Sequence, residues 1–360
     1  MRILLSGYYG FGNLGDDALL EIIVRRLQRD HPHASIDVLS AQPRATAAAL
    51  GVESTPRADL AAVRRSIRNA DAVVSGGGGL LQNATSLKSL VYYAGIIGAG
   101  LRAGKKTMVF AQSVGPLDFW GKSVVREFCR GLTRATVRDE RSLAILASLL
   151  PKTNVERTAD PVFLVEASPD LDLAAQGLGP ESDPLVVVSV RNWNGGEGTA
   201  IAVAAAVDRF AQLGARVAFL PLGGPADAEV STAIIRRCTS APTLLPQHDL
   251  AGAAAIIARA RIVVGMRLHA LILAARFGVP FLAIPYDPKV AALTEDLAWP
   301  LRPLWEPRSR SAPDHATIVA AVDRVWNERD ALAEHLRDAT VRMQRLAERN
   351  FAAFDELLAS

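Results

Sequence analysis

Short apolar runs alternate with amphipathic segments along the first half of the chain. "RILLS" (2–6) precedes a helical pattern from about Asp16 to Gln28, followed by "SIDVLS" (35–40). "DAVVS" leads into "GGGGLL" and a helical stretch through "SLKSLVYYAGIIGAGLRAG"; "TMVFAQS" precedes a helix around "VVREFCRGLTR", and "ATVRDERS" opens another. Strand-length apolar runs separated by helical periodicity predict βαβ units around a parallel sheet. Residues 166–184, "EASPDLDLAAQGLGPESDP", are rich in Pro, Gly and acids without a clean period and read as a linker. The rhythm then restarts with "LVVVSVR", "RVAFLPL", "TLLP", "RIVVGM" and "PFLAIPY". The expected fold is therefore α/β, with two Rossmann-like doubly wound domains facing across a cleft. They span 1–165 and 185–313, and a helical tail spans 314–360. In the tail, Ile318, Val322, Val325, Leu332, Leu336, Ala339, Met343 and Leu346 recur at helical spacing, interrupted at Arg329. Such a stripe either packs back on its own chain or meets a partner helix.

Composition narrows the function classes. Of 360 residues, half are hydrophobic and 21% are charged, enough apolar material for two cores. The net charge of +3 is spread out, with no basic tail, which argues against nucleic acid and is compatible with anionic small molecules. The two cysteines, Cys129 and Cys238, point to a reducing compartment rather than a disulfide framework. No metal site is expected, since neither cysteine has a second pair or histidine spacing beside it. The N-terminal apolar stretch is too short for a signal peptide, and the uncharged run "LVYYAGIIGAGL" is too short to span a bilayer. A cytoplasmic protein, at most peripherally associated with a membrane, is the expectation.

In a doubly wound domain, ligands bind at the C-terminal ends of the strands. The first such loop contains "GFGNLG" (10–15), which satisfies the G-x-G-x-x-G pattern of a dinucleotide cradle. A pyrophosphate needs a bare helix N-terminus, and here that end carries Asp16 and Asp17. The acid expected at the end of the second strand is also misplaced, because Asp37 falls inside "SIDVLS". The glycines are therefore read as turn formers. Tyr8, Tyr9, Asn13 and Asp16 offer stacking and hydrogen bonds to a neutral polar ligand such as a sugar. The four glycines that follow "DAVVS" include Gly77 and Gly78, and suit a close backbone approach to a ligand or a helix–sheet crossing. Gln82 and Asn83 are read as beginning the next helix with amides suited to hydroxyls, and Gln112 ends a neighbouring strand.

The second half has a different character. "VGMRLHALILAARFG" places Arg267, Leu268 and His269 at the junction of a strand and the helix after it. A helix N-terminus, a guanidinium and an imidazole together suit a phosphate or carboxylate. Arg191 closes "LVVVSVR", and "PYDPKV" brings Tyr286, Asp287 and Lys289 to another strand end, with Asp287 readable simply as a helix cap.

These segments carry a resemblance. "SGYYGFGNLGDDALL", "SGGGGLLQNATSLKSLVYY", "AQSVGPL", "VRDERS", "ADPVF" and "VGMRLHALILAARFGVPFLAIPYDPKV", in this order, resemble the bacterial polysaccharide pyruvyl transferases of the cell-surface-anchoring type. The resemblance implies a GT-B-like pair of domains and ketal-forming transfer of a pyruvyl group from phosphoenolpyruvate to two sugar hydroxyls, with release of phosphate. It implies an acceptor in secondary cell wall polysaccharide biosynthesis, often lipid-linked and carrying N-acetylmannosamine, reached at the inner membrane face. Phosphoenolpyruvate would be the donor substrate, with no separate cofactor. Arg267, Leu268 and His269 match the family's Arg-Leu-His motif, with His269 and Arg267 as catalytic groups. Arg191 is placed by position as the further donor arginine, and Tyr286 and Lys289 complete the donor side. Asn83 stands where an acid is expected. Two rival readings share this cleft: a glycosyltransferase using a nucleotide sugar, and a non-catalytic saccharide-binding protein.

Overall fold

A computed structural model describes the chain except residues 167–171, 173–175, 177, 179–182, 193–195, 286 and 305–312. Two compact units emerge: Met1–Leu164 with Met343–Ser360, and Val165–Arg342. In the first, strand and helix alternate: β1 (Arg2–Ser6), α1 (Leu14–Asp30), β2 (Ser35–Ser40), α2 (Pro43–Leu50), β3 (Glu53–Pro56), α3 (Leu60–Asn69), β4 (Ala72–Gly76), α4 (Leu87–Arg102), β5 (Lys106–Gln112), α5 (Phe119–Phe128), β6 (Arg134–Val137), α6 (Glu140–Leu149) and β7 (Asn154–Arg157). In the second come β8 (Leu185–Ser189), α7 (Gly196–Gln212), β9 (Arg216–Phe219), α8 (Pro225–Ile235), β10 (Thr243–Leu244), α9 (Leu250–Arg259), β11 (Ile262–Gly265), α10 (Leu268–Arg276), β12 (Phe281–Ala283) and α11 (Pro288–Asp296).

Both sheets are parallel, in the orders β3-β2-β1-β4-β5-β6-β7 and β10-β9-β8-β11-β12. Strands such as "AVVSG" and "LVVVS" are buried along their whole length because helices cover both faces, which is why they read as unbroken apolar runs. Aspartates repeatedly start the helices. Asp59, Asp118, Asp139, Asp249 and Asp287 each accept a backbone N–H of the first turn, one of the donors left without an intrahelical partner.

The tail forms two helices, α12 (His315–Asn327) and α13 (Arg329–Ala359), with the break at Glu328, next to the Arg329 that interrupts the stripe. Ile318, Val322, Val325, Leu332, Leu336, Ala339 and Met343 are all buried, so the stripe is part of this chain's own core. On α12, Asp323 takes both Nε (2.8 Å) and Nη2 (3.0 Å) of Arg209. The last turns of α13 supply Phe351, Phe354 and Leu357 to the core around Ile23 and Leu27, and Phe351 lies edge-on to Phe110 at 5.2 Å. The tail is thus divided between the two units rather than standing as a segment of its own.

Candidate functional site

In each sheet the strand order reverses once, between β1 and β4 and between β8 and β11. These reversals open a crevice at the C-terminal strand ends, where doubly wound folds take their ligands. In the second unit, Ser189 pairs with Gly265 and the Met266 N–H donates to the Ser189 carbonyl at 2.8 Å. The chain therefore leaves β8 towards Arg191 and β11 towards Arg267 from adjacent positions.

Arg267 is the N-cap residue of α10, followed by Leu268 and His269 in its first turn, both half-buried. Its guanidinium is gripped along one edge. Nε donates to Asp227 Oδ2 at 2.8 Å and Nη2 to Asp227 Oδ1 at 2.5 Å. Asp227 is 1% exposed, in the first turn of α8, while the Arg267 side chain keeps 17% of its surface open. A fixed fork with one edge held and Nη1 unbonded among the described residues is preorganised for a second, planar anion. Gly223 makes the arrangement possible: a Cβ there would lie 1.9 Å from Arg267 Nη2.

Arg191 is half-buried, its Nε near the Asn192 carbonyl at 3.4 Å. The Asp287 carboxylate accepts the Lys289 N–H at 2.9 Å, so Asp287 is a helix cap, and Lys289 sits half-buried in the first turn of α11. Tyr286 lies outside the described residues.

The first unit's crevice is built otherwise. Tyr9 is 1% exposed, its ring lies over Gly7, and its hydroxyl donates to the Gly76 carbonyl at 2.7 Å. Burial pushes its phenol far above the usual tyrosine range. Expected to line a ligand, Tyr9 instead fills the space between the β1 and β4 loops. Gln112 is corrected likewise: it is fully buried, with Nε2 donating to the Ser75 carbonyl and hydroxyl, both at 2.8 Å. Gln82 and Asn83 do not begin a helix. The helix starts at Leu87, capped by Ser86, and the two amides hold the loop before it. Gln82 Nε2 donates to Thr85 at 2.7 Å, and Asn83 Oδ1 accepts the Asp118 N–H at 3.1 Å.

The start of α1 is occupied by protein groups. Asn13 is its N-cap, accepting the Gly15 N–H at 3.3 Å and bonding to Asp16. Asp17 accepts the Gly10 N–H at 3.0 Å, and its carboxyl is raised by burial despite that bond. Gly77 and Gly78 adopt positive φ (+70° and +68°), and a Cβ on Gly78 would lie 2.6 Å from Asp16 Oδ1. The helix–sheet crossing accounts for these glycines. The start of α1 behind "GFGNLG" thus presents carboxylates and an amide rather than the bare N–H groups that a pyrophosphate needs.

What stays accessible in this unit is aromatic. Tyr8 stacks on exposed Phe11 with ring centroids 4.1 Å apart, and Arg57 lies under Phe11 at 4.9 Å. Arg57 is held in turn by Tyr92 and Tyr93, donating to the Tyr93 hydroxyl at 3.0 Å. Asn13 and Asp16, both half-buried, adjoin this stack in sequence. Phe11, Arg57, Gly223 and Asp227 are thus structural additions to the sequence reading. "GGPAD" carried a signal for the last two, a glycine turn and a helix-starting proline followed by an acid. Arg57 carried none.

Deeper in the same unit, Arg138 and Asp160 form a buried ion pair, with Arg138 Nε donating to Ser113 at 2.8 Å. Asp160 also accepts the Val162 N–H at 3.0 Å, so it joins the ion pair to the turn at Pro161. Burial pushes the Cys129 thiol up to about 12 and that of Cys238 up to about 11, so neither is a nucleophile at neutral pH. Among the described residues no three His, Cys, Asp or Glu are grouped to hold a metal, and no helix is long and apolar enough to cross a membrane.

Solved structures with this architecture are GT-B proteins. A putative UDP-N-acetylglucosamine 2-epimerase from Listeria monocytogenes matches with TM-score 0.70 at 12% identity, covering 99% of this chain and 96% of that one. The UDP-GlcNAc 2-epimerase of Neisseria meningitidis, bound to UDP-GlcNAc, gives 0.66 at 9% identity over all of both chains. HepE of Anabaena in complex with UDP-glucose gives 0.63 at 12%, over 100% and 98%. At such identities they establish the fold, two Rossmann-like domains of GT-B type. No curated protein matches the chain. The polysaccharide pyruvyl transferase model matches residues 13–288, a span that runs from the N-cap of α1 to the first residue of α11 and takes in the β8–β11 reversal. The chain belongs to the polysaccharide pyruvyl transferase family.

Proposed function

We propose that this protein transfers the pyruvyl group of phosphoenolpyruvate to two hydroxyls of one sugar of a cell-wall polysaccharide precursor. The donor binds in the second unit, at the β8–β11 reversal. The observation that carries this is Arg267, set by buried Asp227 at the start of α10 beside His269. Phosphoenolpyruvate is a small anion with a carboxylate and a phosphate, and Arg267 and Arg191 offer a guanidinium for each. Leu268 and Lys289 flank them, and Tyr286 belongs to the same donor group by sequence.

The chemistry asks for one proton and one departing anion. A first sugar hydroxyl adds to the central carbon of the donor as His269 delivers a proton to the methylene carbon, making the methyl group. The second hydroxyl then replaces phosphate at the same carbon, and the two hydroxyl protons leave to His269 and to phosphate. The arginines hold the carboxylate and the phosphate, and the one on the phosphate stabilises the charge that grows there in the transition state. Neither step calls for a cofactor.

The acceptor is assigned to the first unit, where the Tyr8–Phe11 stack offers a sugar an apolar face and Asn13 and Asp16 offer hydrogen bonds. We take it to be a lipid-linked precursor carrying N-acetylmannosamine. Several of the structural neighbours are named with UDP or UDP-sugars, which makes nucleotide-sugar transfer the second reading.

Incubation with phosphoenolpyruvate and a panel of saccharides decides between them. The proposal expects stoichiometric phosphate release and a pyruvylated product by mass spectrometry, without nucleotide. Product formation only with a UDP-sugar would replace it with the second reading.

A further inference from the structure

The two most exposed large hydrophobic side chains of the described protein are adjacent in sequence. Phe119 is 73% and Trp120 66% exposed, at the first two positions of α5, with their rings edge-to-face at 5.4 Å. Beside them, α4 begins with Leu87 and Val91, also exposed and one turn apart. The two helices lie side by side through Leu90, Ala94 and Ile97 against Val125 and Cys129. Their starts are tied together: Asn83 N donates to the Pro116 carbonyl at 3.3 Å and Asn83 Oδ1 accepts from Asp118 N at 3.1 Å. Four bare apolar side chains thus stand on one corner of the first unit, at the ends of helices that follow β4 and β5.

Phe119 and Trp120 keep most of their surface in water. A Phe and a Trp left in water forgo the favourable burial that such side chains obtain elsewhere, so the exposed pair points to an occupant. Charge identifies its chemistry. Phe119, Lys122 and Arg126 share one face of α5 at i, i+3 and i+7, and Lys88 is exposed beside Leu87. The acids nearby are Asp118, whose carboxylate is engaged as the helix cap by the Gly121 N–H at 2.7 Å, and Glu127. Protein–protein interface cores are depleted of lysine. Aromatics with lysine and arginine interspersed are instead what the headgroup layer of an anionic bilayer selects.

We infer that this corner of the first unit is a membrane-docking surface, with Phe119 and Trp120 entering the headgroup region and Lys88, Lys122 and Arg126 meeting anionic lipid. It would hold the acceptor-side unit at the layer in which a lipid-linked saccharide presents its sugars. That last benefit rests on the proposed function, whereas the docking itself does not.

Vesicle flotation of the whole protein, with neither donor nor acceptor present, therefore tests docking alone. Vesicles of phosphatidylcholine with one third phosphatidylglycerol should float the wild type. Pure phosphatidylcholine should float it much less. Phe119→Ser/Trp120→Ser should lower partitioning about tenfold or more with unchanged thermal unfolding, since both side chains are solvent-exposed. Lys88→Glu and Lys122→Glu should each lower it about fivefold on the anionic vesicles only. Equal flotation of wild type and the double Ser variant overturns the inference. So does a wild type that ignores vesicles, and a concentration-dependent dimer dissolved by the same substitutions would then make the patch a self-association surface.

Discussion

The two strand-order reversals of this molecule have the same topology and opposite contents. Between β1 and β4 the protein supplies its own occupant: the Tyr9 ring sits over Gly7 with its hydroxyl on Gly76, and Asp17 holds the Gly10 N–H. Between β8 and β11 the chain leaves two arginines and a histidine, and the only side chain gripping Arg267 among the described residues is Asp227. A doubly wound crevice is thus an opportunity that side chains either close or equip. The glycine fingerprint alone does not distinguish the two, because glycine serves a tight helix–sheet crossing as well as it serves a ligand.

The comparison is broken most severely at His269. If the second crevice performs the chemistry, His269→Gln should lower kcat by about 10²–10⁴-fold while donor affinity stays within a few-fold. Parallel loss of affinity and turnover would make His269 a phosphate ligand instead. Steady-state rates at saturating donor, set beside donor titrations of the same variant, separate these outcomes.

Next come the ion pairs on a buried carboxylate, one in each unit. Arg138→Ala and Arg267→Ala each take the cation from a buried aspartate, Asp160 or Asp227, so each should lower stability by about 3–5 kcal/mol. Only the second should alter phosphoenolpyruvate binding. Denaturant unfolding and calorimetry on both variants test the division, and donor loss in Arg138→Ala would erase it.

Smallest is the effect of the accessible groups of the first unit. Phe11→Ala or Asp16→Asn should raise the acceptor KM about two- to tenfold, the ~0.5–1.5 kcal/mol of one contact, with donor affinity unchanged. An unchanged acceptor KM in both variants would move the acceptor elsewhere.

Most of the architecture was legible because its signals are local. Apolar runs mark strands covered on both faces, and aspartates mark helix starts, as at Asp118 and Asp287. The helix after "GGGGLL" starts later than its sequence predicts, because Gln82 bonds within its loop, Asn83 bonds to Asp118, and α4 waits for Ser86. Arg267 and His269 were visible as a charged cluster at a strand end. Their support was not, since Asp227 lies 40 residues away on another helix. Burial was the other hidden quantity. Tyr8 and Tyr9 are neighbours of identical chemistry, yet one is exposed in a stack and the other fills a crevice.

The central claim is that Arg267, in the orientation Asp227 gives it, binds the donor. Gly223→Ala tests orientation without removing any charge. The glycine's φ is not in the left-handed region, so alanine is conformationally acceptable there, but its Cβ would meet Arg267 Nη2 at 1.9 Å and force the guanidinium aside. Titration calorimetry of phosphoenolpyruvate into the wild type and this variant, with cooperative unfolding confirmed for both, should show affinity falling about tenfold to a hundredfold, the ~1.5–3 kcal/mol of a charge-assisted bond. Equal affinity in the two folded proteins would contradict the account and place the donor elsewhere.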